Sequence, residues 1–232
     1  MKIIGLIGGM SWESSLEYYR IINESVKNKL GGLHSGKILM YSVDFQEIEK
    51  FQSEGNWDKL TEIMINCAQV LEKAGADMIL ICTNTMHKMA DAVQDSVKIP
   101  LIHIADTTGE KIKEINMKRI GLLGTKYTME QDFYRGRLKK KFDIDVVIPE
   151  AEEREIINDI IFKELCVGEI KDGSREKYKK YIEELVQKGA EGIVLGCTEI
   201  PLLIKQNDVS VPIFDTMTIH AEYAVNYAIN KE

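Results

Sequence analysis

The 232 residues of this chain are enough for one large domain or two small ones with a substantial buried core. Apolar residues make up 44% and charged residues 29%, and the formal net charge is -7, so the composition is typical of a globular protein and argues against nucleic acid as a partner. No apolar stretch is long enough to cross a bilayer, so no membrane association is expected.

Short apolar runs alternate with longer amphipathic segments along the whole chain. The apolar runs predict β-strands at Ile3–Ile7, Lys37–Ser42, Met78–Ile81, Leu101–His103, Arg119–Leu123, Val146–Ile148, Gly192–Leu195 and Ile213–Phe214. The amphipathic segments predict helices at Ser14–Lys29, Trp57–Ala74, Met129–Lys141, Glu152–Val167, Ser174–Lys188 and roughly Thr216–Asn230. Strands that alternate with helices indicate βαβ units, so the sequence predicts an α/β fold with mostly parallel sheets.

The four cysteines follow neither a metal-ligand spacing nor a disulfide framework, so no metal site is predicted. They are Cys67, Cys82, Cys166 and Cys197. The apolar start of the chain is short and interrupted by glycines, which favours a first strand over an export signal. We therefore expect reduced thiols and a cytoplasmic location, and Cys67 and Cys166 are expected to be core residues of amphipathic helices.

An internal repeat is the most informative feature of the sequence. Three pairs of segments resemble each other in the same order, at offsets of 116, 114 and 112 residues. The pairs are Lys2–Gly8 with Lys118–Gly124, Gly75–Thr85 with Gly189–Glu199, and Ile99–Ile102 with Val211–Phe214. The repeat predicts two pseudo-symmetric α/β domains, the first made of residues 1–100 and 212–232 and the second of residues 101–211. Ligands bind at the carboxyl ends of strands in such sheets, so the active site is expected in the cleft between the domains.

The repeat also separates two neighbouring candidates for chemistry. Without gaps, Gly75 aligns with Gly189, and Thr83, rather than Cys82, aligns with Cys197. Because neighbouring strand residues point in opposite directions, Cys82 is expected in the core if Thr83 and Cys197 face the cleft.

Two groups on opposite sides of a cleft suit proton transfer between the two faces of one carbon atom. A thiolate is a workable base near neutral pH if its pKa is lowered, and the turn from a strand into a helix N-terminus is expected to lower it. Asn84, Thr85 and Thr198 fit this setting, where they could hold a substrate carboxylate and stabilise charge that develops on it.

Four segments resemble the motifs of the aspartate/glutamate racemase family, in order and across essentially the whole chain. They are Gly8–Ser14, Thr83–His87, Gly124–Met129 and Gly196–Glu199. The resemblance implies two pseudo-symmetric α/β domains and two-base proton transfer at the α-carbon of an acidic amino acid, without pyridoxal phosphate or another cofactor. It also implies a small-molecule substrate and a homodimer.

One residue departs from the pattern that many family members share, because a cysteine usually precedes the first Asn-Thr and here Thr83 does. The departure resembles bacterial racemases specific for L-aspartate and L-glutamate, which carry a threonine–cysteine pair. The resemblance then implies that Cys197 abstracts the α-proton of the L-enantiomer and that Thr83 delivers a proton to the opposite face. A hydroxyl is a far poorer base than a thiolate, so abstraction from the D-enantiomer should be slow.

Further substrate-binding candidates follow from strand ends and from the resemblance. Loop residue Met10 would contact the substrate, and Gln52 would replace an arginine that reads the distal carboxylate. Thr125 and Thr128 are candidates too, with helix capping by Thr128 as the alternative. Glu199 would orient or assist Cys197. A cation is chosen from Lys126, Arg135 and Lys163, with Lys163 favoured.

The histidines are less informative. His87 follows Thr83 by one turn and could tune the site or be a satisfied core residue, whereas His34, His103 and His220 lie far in sequence from any motif.

Two rival functions stay open. One is a single-cysteine decarboxylase or isomerase of dicarboxylic acids on the same scaffold, and the other is a non-catalytic protein that binds acidic amino acids.

Overall fold

The computed structural model describes residues 1–230 and divides into two compact units. The first unit comprises Met1–Ile104 and the chain from His220 onward, and the second comprises Ala105–Ile219. Within each sheet, every pair of adjacent strands among the described residues is parallel, which confirms the predicted α/β class with parallel sheets.

The sheet of the first unit has the strand order β2-β1-β3, formed by Ile4–Gly8 (β1), Ile38–Ser42 (β2) and Met78–Ile81 (β3). Its helices are Trp12–Leu30 (α1), Phe45–Ser53 (α2), Trp57–Lys73 (α3) and Ala90–Asp95 (α4). A single 3₁₀ turn at Thr85–Met89 separates β3 from α4.

Helix α3 shows why the first unit has a core. Its buried residues recur at helical spacing, and they pack with the apolar side chains of β1 and β3. The buried residues of the helix are Leu60, Met64, Cys67, Ala68 and Leu71. Cys67 is therefore a core residue, as predicted.

The second unit has a sheet of order β5-β4-β6-β7. Its strands are Arg119–Gly124 (β4), Asp145–Val147 (β5), Gly192–Gly196 (β6) and Ile213–Asp215 (β7). The helices after α4 are, in chain order along the rest of the described chain, Ile104–Glu114 (α5), Lys126–Glu130 (α6), Asp132–Phe142 (α7), Ala151–Lys163 (α8), Asp172–Gln187 (α9), Ile200–Leu203 (α10) and Thr216–Ile229 (α11). No helix among residues 1–230 is both long enough and apolar enough to cross a membrane.

The internal repeat reappears in the pairing register of the two sheets. The repeat relates β1 to β4 and β3 to β6, and the register of the β1–β3 pair is the same as that of the β4–β6 pair. The outer pairings beside β3 and β6 correspond in the same way. The corresponding pairs are Ile4–Met78 with Ile120–Gly192, and Ile79–Leu101 with Ile193–Ile213. The segment pairs noticed in the sequence therefore occupy equivalent places in two equivalent sheets.

The predicted strand at Leu101–His103 is wrong beyond its first residue. Leu101 forms one parallel bridge to Ile79, and α5 begins at Ile104. Pro100 has no N–H to donate, so the ladder cannot extend backward, and the helix ends it on the other side.

The division of the chain also differs from the expected boundaries near residue 212. Strand β7 pairs with β6, and the Thr216 hydroxyl donates a hydrogen bond to the Leu195 carbonyl at 2.9 Å. These bonds join residues 212–219 to the second unit rather than the first.

Candidate active site

Cys82 and Thr83 follow the last residue of β3 and differ in exposure. Cys82 is 1% exposed, and burial raises its pKa well above the usual range of a thiol. Its N–H donates to the Ile7 carbonyl at 2.9 Å, which continues the β1–β3 ladder. Thr83 is half-buried. Cys82 is thus an inert core thiol, and Thr83 is the more accessible of the two neighbours.

The residues after Thr83 turn sharply and are almost fully buried. Asn84 and Thr85 are 2% and 5% exposed, and the His87 N–H donates to the Asn84 carbonyl at 3.1 Å. The predicted binding residues Asn84 and Thr85 therefore lie beside Thr83 at the carboxyl end of β3.

The loop that carries Met10 follows β1, which is adjacent to β3 in the sheet. Gly9 has a φ of +93°, and its N–H donates to the Ser15 hydroxyl at 2.7 Å. A Cβ on Gly9 would lie 2.2 Å from the Val43 carbonyl oxygen, so only glycine fits. Met10 itself is 4% exposed and belongs to the hydrophobic core cluster.

Gln52 lies in α2, a helix that the sequence reading did not predict. The Asp44 side chain caps this helix just after β2 by accepting a hydrogen bond from the Gln46 N–H at 3.0 Å. Gln52 is 5% exposed, which is unusual for a glutamine and is compatible with a buried hydrogen-bonding role.

The second unit holds a hydrogen-bonded cluster directly after β6. The Cys197 thiol donates to Glu199 Oε2 at 2.9 Å, and the Thr198 hydroxyl donates to the same oxygen at 3.1 Å. The three residues are 7%, 3% and 3% exposed, in chain order. A buried carboxylate that accepts two hydrogen bonds thus lies against a thiol, which joins a potential nucleophile or base to a proton acceptor.

The electrostatic environment of Cys197 differs from the sequence-based expectation. Burial and the Glu199 carboxylate raise the pKa of the Cys197 thiol well above its usual range, whereas the turn was expected to lower it. The helix after this turn, α10, has only four residues, so its dipole is small. The substrate-free thiol is therefore protonated near neutral pH, and it needs a proton acceptor to become a base.

Thr125 and Thr128 form a capped turn after β4, the strand next to β6. The Thr128 N–H donates to Thr125 Oγ1 at 3.3 Å, and their hydroxyl oxygens lie 3.2 Å apart. A Cβ on Gly124 would lie 2.7 Å from the Gly196 carbonyl oxygen, so the two glycines allow the strand ends to approach closely. Thr125, rather than Thr128, caps this helix, and the turn lies beside the strand end that carries Cys197.

Tyr178, on α9, is a residue that sequence reasoning missed. It is fully buried, and its hydroxyl has no hydrogen-bond partner within residues 1–230. Burial raises the pKa of this phenol well above its usual value, so the hydroxyl stays protonated near neutral pH. A tyrosine on the buried face of an amphipathic helix is indistinguishable from a core residue in the sequence alone.

A family model for Asp/Glu/Hydantoin racemases matches residues 7–224. The chain belongs to the Asp/Glu/Hydantoin racemase family. Racemases are isomerases, so the predicted family and the predicted enzyme class are confirmed.

Relatives of this racemase-family chain differ in specificity. It is 32% identical to a glutamate racemase of Persephonella marina over 160 residues, which are 64% of this chain and 57% of that enzyme. It is 26% identical to RacX of Bacillus subtilis, a broad-specificity amino-acid racemase, over 175 residues, which are 73% of this chain and 72% of that protein.

Two solved structures are similar to this chain over almost its whole length. A Yersinia pestis protein assigned provisionally as an Asp/Glu racemase has a TM-score of 0.93 at 53% identity, covering 99% of this chain and 100% of that one. An aspartate racemase homologue from Pyrococcus horikoshii OT3 has a TM-score of 0.86 at 41% identity, with the same two coverages.

The three cations considered for this racemase-family chain differ in their surroundings. Lys163 is exposed and lies 2.9 Å from Asp159 on the same helix, the arrangement of a solvated helix face. Lys126 is paired with Glu155. Arg135 donates from an Nη to the Glu130 carbonyl at 3.1 Å, and its buried Nε–H has no partner within residues 1–230. Arg135 thus retains an open donor within the described residues, whereas the Lys163 ammonium is paired with a carboxylate on its own helix.

Two histidines that lie far in sequence from the motifs, His103 and His220, approach one of them in the fold. The His103 and His220 rings lie 4.7 Å and 5.7 Å from the His87 ring, centroid to centroid. No group of three or more metal-ligating side chains in the described part of the chain converges on a metal position. His220 belongs to the first unit although the chain between Ala105 and Ile219 forms the second, which the sequence pattern does not reveal.

His220 should make stability depend on pH in the mildly acidic range. Burial lowers its pKa to about 4, from 6.5, while the Tyr18 hydroxyl, the Ile102 carbonyl and the His87 ring surround it. The unfolded chain therefore takes up a proton between pH 6.5 and 4 that the folded chain does not, so the free energy of unfolding falls as the pH drops through this window. The full loss is on the order of 3 kcal/mol.

The His220→Gln variant removes this titration and can keep a donor for the Ile102 carbonyl. Urea unfolding at pH 7, 6 and 5 measures the free energy of unfolding, which should fall less steeply with decreasing pH in the variant than in the unmodified chain. Parallel declines would show that His220 does not carry the effect.

Proposed function

We propose that this protein racemises L-aspartate and L-glutamate by two-base proton transfer at the α-carbon. Cys197 serves the L-enantiomer, and Thr83 donates a proton to the opposite face. The observation that carries the proposal is the buried Cys197–Glu199 pair at the end of β6, matched by Thr83 at the repeat-related end of β3. The glutamate racemase and the broad-specificity amino-acid racemase among the relatives support the substrate class.

In this proposal Glu199 converts Cys197 into a base. The thiol proton passes to the Glu199 carboxylate, which it already contacts at 2.9 Å, and the thiolate takes the α-proton of the substrate. Moving the proton within the pair leaves the pair with one negative charge, so no second charge is buried. The electron pair of the broken Cα–H bond moves into the substrate carboxylate, where backbone and side-chain donors stabilise the developing charge.

Thr83 makes the two half-reactions unequal. Donation of its hydroxyl proton leaves an alkoxide that must regain a proton from solvent, while the Cys197–Glu199 pair releases one to solvent; because an alkoxide is unstable, this step is slow in both directions. The two enantiomers have equal free energy in water, so a poor Thr83 step slows racemisation in both directions equally. Removal of the α-proton by Cys197 and return of a proton to the same face do not need Thr83, and this step exchanges the α-hydrogen for deuterium once the thiol proton has exchanged with solvent.

The proposed substrate contacts are the binding candidates that the sequence predicts. Asn84, Thr85 and Thr198 would hold the α-carboxylate, and Thr125 and Thr128 would bind the carboxylate or the ammonium group. Met10 would pack on the substrate, while Gln52 would contact the distal carboxylate. Arg135, with its open Nε donor, replaces Lys163 as the proposed cation for that group.

Proton NMR in heavy water tests the proposal. We expect L-aspartate or L-glutamate to exchange its α-hydrogen for deuterium faster than it racemises, and the D-enantiomer to exchange slowly. Equal exchange of both enantiomers would contradict the unequal pair of groups.

The same sample distinguishes the rival functions. Release of CO₂ from a dicarboxylic acid without α-hydrogen exchange would indicate the decarboxylase alternative. Binding of aspartate or glutamate without any exchange would indicate a non-catalytic binding protein.

A cytoplasmic homodimer completes the proposal. Helix α1 exposes Trp12, Leu16 and Tyr19 at 65%, 55% and 52%, a stripe at helical spacing that a second copy of the chain could cover. All four cysteines are free thiols, which is typical of a reducing compartment.

A further inference from the structure

His87 links the turn at Thr83 to a distant part of the first unit. One ring nitrogen, Nδ1, lies 2.8 Å from the Thr83 carbonyl oxygen, and the other, Nε2, lies 3.2 Å from the Ile104 backbone nitrogen. The ring is 2% exposed. Both polar atoms of this side chain thus contact backbone rather than solvent.

The two backbone partners determine the proton positions of the ring. A carbonyl oxygen only accepts, so Nδ1–H must donate to Thr83, and a backbone N–H only donates, so Nε2 must accept from Ile104. His87 is therefore held as the neutral Nδ1–H tautomer.

Neighbouring rings restrict the orientation of His87. The His220 ring, 5.7 Å away, donates from Nε2 to the Ile102 carbonyl at 2.8 Å and accepts at Nδ1 from the Tyr18 hydroxyl at 2.8 Å. Together with the His103 ring, these contacts leave His87 little room to rotate.

We propose that His87 is a positioning residue for Thr83: its Nδ1–H bond to the Thr83 carbonyl fixes the backbone from which the Thr83 hydroxyl projects. This inference rests on the proposed role of Thr83. A weak proton donor depends strongly on alignment, since a displacement of about 1 Å can cost about 10²-fold in rate. Cys197 has its own partner in Glu199, so the Cys197 half-reaction does not depend on His87.

Two substitutions separate the two bonds of His87. The amide nitrogen of Asn overlays Nδ1, so His87→Asn can keep the donor to Thr83 and loses the acceptor for Ile104. The amide oxygen of Gln overlays Nε2, so His87→Gln can keep the acceptor for Ile104 and loses the donor to Thr83. Each variant loses one hydrogen bond, so their melting temperatures should fall by similar amounts.

We expect His87→Gln to lower racemisation, and α-hydrogen exchange of the D-enantiomer (D-side exchange), by about 10-fold to 10²-fold. Exchange of the L-enantiomer (L-side exchange) should stay within about 2-fold. His87→Asn should keep both activities within about 3-fold, because the Thr83 bond remains. Tyr18→Phe is the matched control: it removes a bond to His220 and should lower stability without changing the ratio of D-side to L-side exchange. Equal losses of L-side and D-side exchange in His87→Gln, or equal D-side losses in the Asn and Gln variants, would overturn the positioning role.

The ¹⁵N spectrum of the labelled protein tests the bond without an activity readout. The Nδ1–H tautomer of His87 is expected, and an Nε2–H tautomer would overturn the inference. If the unmodified chain exchanged neither enantiomer, the proposed function would fail, and the spectrum would decide separately whether His87 holds the Thr83 carbonyl.

Discussion

Replacing Cys197 with alanine should lower α-hydrogen exchange of the L-substrate by about 10²-fold to 10⁴-fold, the usual contribution of a general base. The variant removes the thiol that donates to Glu199 Oε2 and leaves the Thr198–Glu199 bond in place. Proton NMR of L-aspartate and L-glutamate in heavy water measures the effect directly. Racemisation should fall with exchange, because every turnover in either direction passes through Cys197.

Cys82→Ala is the matched control for this experiment. Both thiols lie at the end of a strand and both are buried, but Cys82 is 1% exposed and belongs to the core. Its removal should leave exchange per folded molecule unchanged, at a stability cost of about 1 kcal/mol. Exchange within about 2-fold of the unmodified chain in Cys197→Ala would show that another group is the base.

Thr83→Cys should raise D-side exchange and racemisation, by up to about 10²-fold if the new thiol acts as an effective base. A thiol loses its proton far more readily than a hydroxyl, so the missing second base would be supplied. Racemisation must rise by the same factor in both directions because the enantiomers have equal free energy. The measurement is exchange and optical rotation from separate D and L starting materials.

Thr83→Ser is the control that keeps the hydroxyl. D-side exchange should remain slow in this variant, since serine is no better a base than threonine. An unchanged D-side rate in Thr83→Cys, with the protein folded and L-side exchange intact, would show that residue 83 does not face the α-carbon.

The sequence was sufficient for the fold class and for the burial of Cys82. Alternating apolar and amphipathic segments predict parallel sheets, and the repeat offsets reappear as equal registers in β1–β3 and β4–β6. Both are properties of local periodicity and of segment order, which the linear chain carries directly. The same ungapped alignment that relates the strands also aligns Thr83 with Cys197.

The partners of individual side chains could not be read in this way. Lys163 was favoured for its place in a helix, but which helix face is solvated depends on packing that the sequence pattern did not resolve. The direction of the Cys197 pKa shift was also wrong, because burial and the approach of Glu199 outweigh the helix terminus. Tyr178 was missed because the complete burial of its hydroxyl is a consequence of packing.

The order of segments and the periodicity of apolar residues in the sequence thus define the two sheets, the repeat and the alignment of Thr83 with Cys197. Tertiary structure alone decides that Glu199 accepts from Cys197, and that His87 and His220 meet although 133 positions separate them in the sequence. The physical reason is that hydrogen-bond patterns within strands and helices are set by neighbours in sequence. Proton positions and pKa values are set instead by burial and by polar atoms that only the folded chain brings within about 3 Å.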